Sequence, residues 1–101
     1  MATVEREAKI VNKYGLHARP AMQFVELANK YASKVEVSNG ALNVDAKSIM
    51  SVMRLAATCG TTLKITADGG DAEQAAEALV GLIGAGFGEM DEGEAGTAAG
   101  I

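Results

Sequence analysis

The run Gly15-Leu16-His17-Ala18-Arg19-Pro20-Ala21 holds the sole histidine and the sole proline of this 101-residue chain, with an arginine between them. A neutral imidazole is a nucleophile near neutral pH. The first turn of a helix offers backbone N–H groups and a positive dipole end, both suited to a phosphate. The Arg19 guanidinium, in the same turn, adds a planar fork of donors that fits phosphate oxygens. Gly15 permits a backbone geometry closed to other residues, and Pro20 fits only where a helix begins. Together these residue types point to nucleophilic acceptance of a phosphoryl group by His17, with Arg19 and backbone amides neutralising its charge. Taken without these neighbours, a lone histidine is more often structural or merely exposed.

The flanking segments must place that run at a strand-to-helix junction. Val4, Arg6, Ala8 and Ile10 alternate with Glu5, Glu7, Lys9 and Val11, which predicts a first strand. Residues 12–15 are turn-like. Apolar residues at Ala18, Ala21, Met22, Val25 and Ala28, with Phe24, Leu27 and Tyr31 beside them, predict a helix over 18–31. A strand over 34–37, a hairpin signal at Ser38-Asn39-Gly40 and a return strand over 41–44 follow. Next come a short apolar helix over 48–57 and a strand over 61–66. Asp68-Gly69-Gly70-Asp71 reads as a turn, with Asp71 as N-cap of a last helix marked by Ala72, Ala75, Ala76, Leu79, Val80 and Ile83. Gly81, Gly84 and Gly86 weaken its second half. So few strands and one hairpin predict a single mixed or antiparallel sheet, with helices on one face and solvent on the other. Residues 1–88 are expected as one domain, and 89–101, rich in Gly, Ala, Glu and Asp, as a flexible acidic tail.

Composition narrows the function classes. With 49% hydrophobic residues a single core is feasible, but a chain this short cannot add a deep substrate cavity to it, so its chemistry belongs at the surface. A net charge of -4, 4% aromatic residues and no basic run speak against nucleic-acid binding. No apolar run approaches a membrane span, and the charged N-terminus lacks a signal-peptide core, so a cytoplasmic location without membrane insertion is expected. One cysteine excludes an internal disulfide, and a single His with a single Cys makes a zinc site implausible. Cys59 is expected as a small buried or half-buried thiol. No metal or cofactor is called for.

The Gly15 to Ala21 run resembles the active-site signature of the HPr family, the phosphocarrier proteins of the bacterial phosphoenolpyruvate-dependent phosphotransferase system. Lys47-Ser48-Ile49-Met50-Ser51-Val52-Met53 resembles the regulatory-serine motif of the same family, and the resemblance spans roughly residues 3–88. It implies an α+β fold, an open-faced β-sandwich whose four-stranded antiparallel sheet carries three helices on one face in the order βαββαβα. It implies that enzyme I phosphorylates His17 on Nδ1, that Arg19 holds the phosphate, and that an A-type acceptor domain takes the group onward. Such a monomeric carrier turns over only as a covalent intermediate between enzymes. Ser48 would match the serine modified by a dedicated kinase and restored by a phosphatase, although a serine at a helix start is equally suited to capping. Met22, Ile49, Met50 and Met53 would form an apolar docking patch, or some of them would be core.

Family members that feed sugar uptake often carry lysines along the first helix, whereas Glu26 and Asn29 occupy that region here and only Lys30 is basic. The chain end Leu82-Ile83-Gly84-Ala85-Gly86-Phe87-Gly88-Glu89 resembles the nitrogen-related branch of the family. The relay is therefore expected to serve sugar uptake or a regulatory phosphorelay. A second reading from a different class is a regulatory binding protein, set by Ser48 phosphorylation and docking to a transcription factor or enzyme. The presence of His17 favours the carrier.

Overall fold

The computed structural model describes residues 2–89. Four strands, β1 (Ala2–Lys9), β2 (Lys34–Ser38), β3 (Asn43–Asp45) and β4 (Thr62–Gly69), alternate with three helices, α1 (Ala18–Ala28), α2 (Ile49–Met53) and α3 (Ala72–Gly84). A 3₁₀ turn at Gly86–Gly88 closes the described chain. The strands form one sheet in the order β1-β4-β2-β3, and every pairing is antiparallel. This is the expected α+β open-faced sandwich, and it resolves the choice between a mixed and an antiparallel sheet.

Period-two patterning decides which side of the sheet is covered. Along β4, Leu63, Ile65 and Ala67 are buried while Thr62, Lys64 and Asp68 face water. Val35 and Val37 of β2 and Val44 of β3 bury on the same side. Against them lie Phe24 and Ala28 of α1, Val52 of α2, and Ala75, Ala76, Leu79 and Ile83 of α3. Small alanines on the α3 face let that helix pack against β1 and β4. In β1 the inward set Val4, Arg6 and Ala8 is only half-buried, as expected of an edge strand at the rim of the helical layer.

Several boundaries differ from those the sequence predicts. β4 runs on through Gly69, because Ala2 pairs with it across the sheet. The turn thus begins later than the Asp-Gly-Gly-Asp pattern implies. α1 stops at Ala28, and α2 spans only five residues, because the chain turns at Arg54 and Ala56 takes a left-handed φ of 46°. Asp71 does stand at the head of α3, but its side chain makes no capping bond there. Its carboxylate instead accepts from the Ala32 and Ser33 amides, both at 2.9 Å, and from the Ser33 hydroxyl. It therefore ties the α1–β2 turn to α3. These bonds, led by the Ser33 hydroxyl and the Ala32 amide, hold the Asp71 carboxyl below its ordinary pKa. Cys59 is exposed rather than buried or half-buried: it lies in a surface turn between α2 and β4. No helix among the described residues is long and apolar enough to cross a membrane.

Candidate functional site

The loop from β1 to α1 is laced to the segment that leads into β4. Ile10 donates its amide to the Thr61 carbonyl at 2.9 Å and accepts from the Gly60 amide at 2.7 Å. The Leu16 amide reaches the Ala57 carbonyl at 2.9 Å, and Gly15 closes a turn onto the Asn12 carbonyl at 3.1 Å. Gly15 adopts a φ of +66°, and a Cβ there would lie 2.6 Å from the Ala57 oxygen and 2.8 Å from the Thr58 Cα. Close approach and a left-handed backbone both demand glycine at this position. The next residues are fixed as a result: Leu16 is buried and His17 faces out.

His17 is the N-cap of α1, with an extended backbone and a carbonyl that accepts from the Ala21 amide at 2.9 Å. Ala18 and Arg19 carry the first helical amides, and Pro20 has none. The ring does not bond to the helix start. Nε2 instead faces the Glu89 carboxylate, 2.8 Å from Oε2 and 3.1 Å from Oε1. The His17 side chain is 41% exposed and that of Glu89 only 12%. The Tyr14 ring stands edge-on to the imidazole, at 89° with centroids 6.3 Å apart, and the Lys13 ammonium lies 5.4 Å from the Tyr14 ring centre. An accessible ring thus lies beside a helix start, with the exposed Arg19 two residues along the chain.

Arg19 is the second residue of α1 and exposed. Met22, one turn further on, is 53% exposed rather than part of the buried stripe. Met22 and Ile49 come together with Val25 and Glu26 around a shallow, mostly apolar groove of about 240 Å³ between α1 and α2. Met50 and Met53 of α2 are exposed as well, Met50 at 77%. Ser48 is the N-cap of α2, its hydroxyl accepting from the Ser51 amide at 3.3 Å, so the capping role is present. The α2 head stands at the edge of this apolar surface.

The sequence predicts that Glu89 opens the tail, but the structure places it against His17; residues 90–101 lie outside the described chain. A signal was available. Phe87 is a lone aromatic between two glycines after an amphipathic helix, a pattern that anchors a turn. It is 2% exposed with a left-handed φ of 57°, and it brings the chain back toward the β1–α1 loop.

The model of the PTS-HPr family, described as the PTS HPr component phosphorylation site, matches residues 4–85. The chain belongs to the HPr family. It is 45% identical over 86 residues to the phosphocarrier protein HPr of Cupriavidus necator, which covers 85% of this chain and 97% of that one. Identity to the HPr of Pseudomonas aeruginosa is 48% over 89 residues, covering 87% and 96%. The crystal structure of HPr-C-His from Thermoanaerobacter tengcongensis superposes with a TM-score of 0.79 at 46% identity, covering 88% of this chain and 98% of that one. The protein is thus an HPr-type phosphocarrier of the phosphotransferase system. The family match spans both the histidine run and the Ser48 motif.

Proposed function

We propose that His17 carries the phosphoryl group on Nδ1, receiving it from phosphorylated enzyme I and passing it to an A-type acceptor domain. The observation that carries this reading is the half-exposed imidazole at the N-cap of α1. It is accessible to a partner, beside the first amides of a helix, and two residues from a guanidinium. In the forward step the Nδ1 lone pair attacks phosphorus while the donor's P–N bond breaks and its electrons return to the donor ring. The new phosphoryl oxygens meet the α1 dipole and Arg19. The reverse geometry serves the onward step, so one site suffices for both partners. The destination is sugar uptake or a regulatory phosphorelay, and the nitrogen-type chain end together with a lysine-free α1 supports the second.

The exposed Met22, Ile49, Met50 and Met53 form the docking surface. Flexible thioethers repack against different partners, which suits a protein that meets more than one. Phosphorylation of Ser48 by an ATP-dependent kinase would add nearly two negative charges at the edge of that surface. The α2 N-terminus tolerates them, so the effect falls on docking more than on folding.

Incubation with enzyme I and radiolabelled phosphoenolpyruvate tests the central claim. Acid-labile label is expected on the wild type and none on His17→Ala; label that persists in His17→Ala places the acceptor elsewhere. Arg19→Ala is expected to slow transfer by roughly 10- to 100-fold with its melting curve unchanged, read by rapid-quench labelling. Unaltered rates remove Arg19 from the mechanism.

A further inference from the structure

We propose that Glu89 is a positioning residue. Its carboxylate fixes the His17 proton on Nε2 and thereby presents the Nδ1 lone pair for phosphoryl transfer. The inference rests on His17 being the acceptor and adds to that reading a residue outside the signature run. An ionised carboxylate is an acceptor only. With its oxygens 2.8 and 3.1 Å from Nε2, the contact is a hydrogen bond only when Nε2 bears the proton. The opposite tautomer would aim the Nε2 lone pair at two anionic oxygens. A neutral ring protonated on Nε2 has its lone pair on Nδ1.

The carboxylate is itself held in place from two sides. Asn12, fully buried, donates from Nδ2 to the Gly15 carbonyl at 2.7 Å and to Glu89 Oε1 at 3.0 Å. The Asn12 Oδ1 atom is buried and has no hydrogen-bond partner among the described residues, so the amide is oriented for its donors alone. On the other side, the Glu89 amide donates to the Gly86 carbonyl at 2.8 Å, within the turn that the buried Phe87 holds in a left-handed conformation. A phenylalanine rarely adopts that conformation, and here burial of its ring in the core maintains it. The series Asn12, Glu89, His17 has the logic of an orienting carboxylate behind a catalytic imidazole.

Proton and electron accounting agrees with this role. On acceptance, the Nδ1–P bond forms, the donor's P–N bond breaks, and the ring becomes a cation that still bears its Nε2 proton beside the Glu89 carboxylate. On release the Nδ1–P bond breaks, its electron pair returns to Nδ1, and the ring leaves as neutral imidazole. No proton has to enter or depart in either direction.

The test compares full-length wild type with Glu89→Gln. The side-chain amide keeps the shape but can donate as well as accept, so it no longer selects one tautomer. Imidazole ¹⁵N spectra, recorded in alkaline buffer, are expected to show Nε2–H alone in the wild type and an added Nδ1–H population in Glu89→Gln. Rapid-quench transfer from phosphorylated enzyme I is expected to slow by about 5- to 10-fold, with unchanged KM and thermal midpoint. Glu89→Asp, which keeps the charge, is expected to recover part of both readouts. Identical tautomers in wild type and Glu89→Gln overturn the proposal, as does a shifted tautomer with an unchanged rate. Neither result touches the acceptor assignment, which fails only if His17→Ala is still labelled.

Discussion

The two ends of the layer beneath α3 are built from the same parts and put them to different use. Near the head of α3, Gly69 (φ +149°) packs on Ser33, where a Cβ would lie 2.9 Å from the Ser33 Cα, and the Asp71 carboxylate collects two amides and a hydroxyl. Beyond its C-terminus, Gly15 packs on Ala57 and Thr58, and the Glu89 carboxylate collects the Asn12 amide and the His17 ring. Each end pairs one glycine that has no room for a side chain with one carboxylate that ties distant segments. The difference lies in the donors. Backbone amides at the Asp71 end have no other task, so that tie is purely architectural. At the Glu89 end the donor is the ring proposed to accept the phosphoryl group, so there the same bond would act on chemistry.

The glycines offer the largest way to break this comparison. Gly15→Ala and Gly69→Ala are each expected to lose about 2–4 kcal/mol in urea unfolding, since both add a Cβ where backbone stands in the way. Of the two, Gly15→Ala should also depress transfer rates measured on its folded fraction. Equal transfer defects in both would erase the distinction between the ends.

Asp71 gives a smaller effect with a definite sign. Its folded pKa lies below the ordinary 3.8, so its contribution to stability is full above that value and is lost as pH falls through the lower folded value. Asp71→Asn is therefore expected to melt below wild type at neutral pH, with the gap closing under acid, when the two are followed by circular dichroism from neutral pH downward. A gap that stays constant with pH would show the tie to be steric. Transfer by Asp71→Asn at neutral pH should match wild type, the mirror image of what Glu89→Gln does.

Met50→Ala, at the smallest end, should leave stability within about 0.5 kcal/mol. Its KM for enzyme I should rise by roughly threefold, which steady-state assays with limiting carrier can resolve. An unchanged KM would take Met50 out of the docking surface.

Local patterns made most of this legible in advance. The alternation of β4 and the apolar stripe of α3 fix which faces bury, and Gly15, Pro20 and the lone histidine mark the junction where the ring emerges. Elements whose ends depend on tertiary partners were less legible. β4 extends to Gly69 because Ala2 lies opposite, and α2 ends early where Ala56 turns left-handed. Asp71 looked like a helix cap because it precedes an apolar run, yet its carboxylate turns to a segment 38 residues earlier in the chain. Cys59 follows an apolar run, which suggests a buried or half-buried thiol, but burial ends at Ala57 and the next turn carries Cys59 into solvent. Glu89 shares its composition with the acidic segment after it, and only the fold brings it 72 residues back to His17.

The lacing of residues 10–16 to 57–61 also bears on speed. A shuttle must leave one partner and fit the next within a single cycle, and a loop that reshaped itself at each encounter would add an ordering step to both. Here Gly15 is sealed against backbone, so the landing site arrives already set. Exchange between donor and recipient can then run at the pace of diffusion and release, without waiting for the carrier to rearrange.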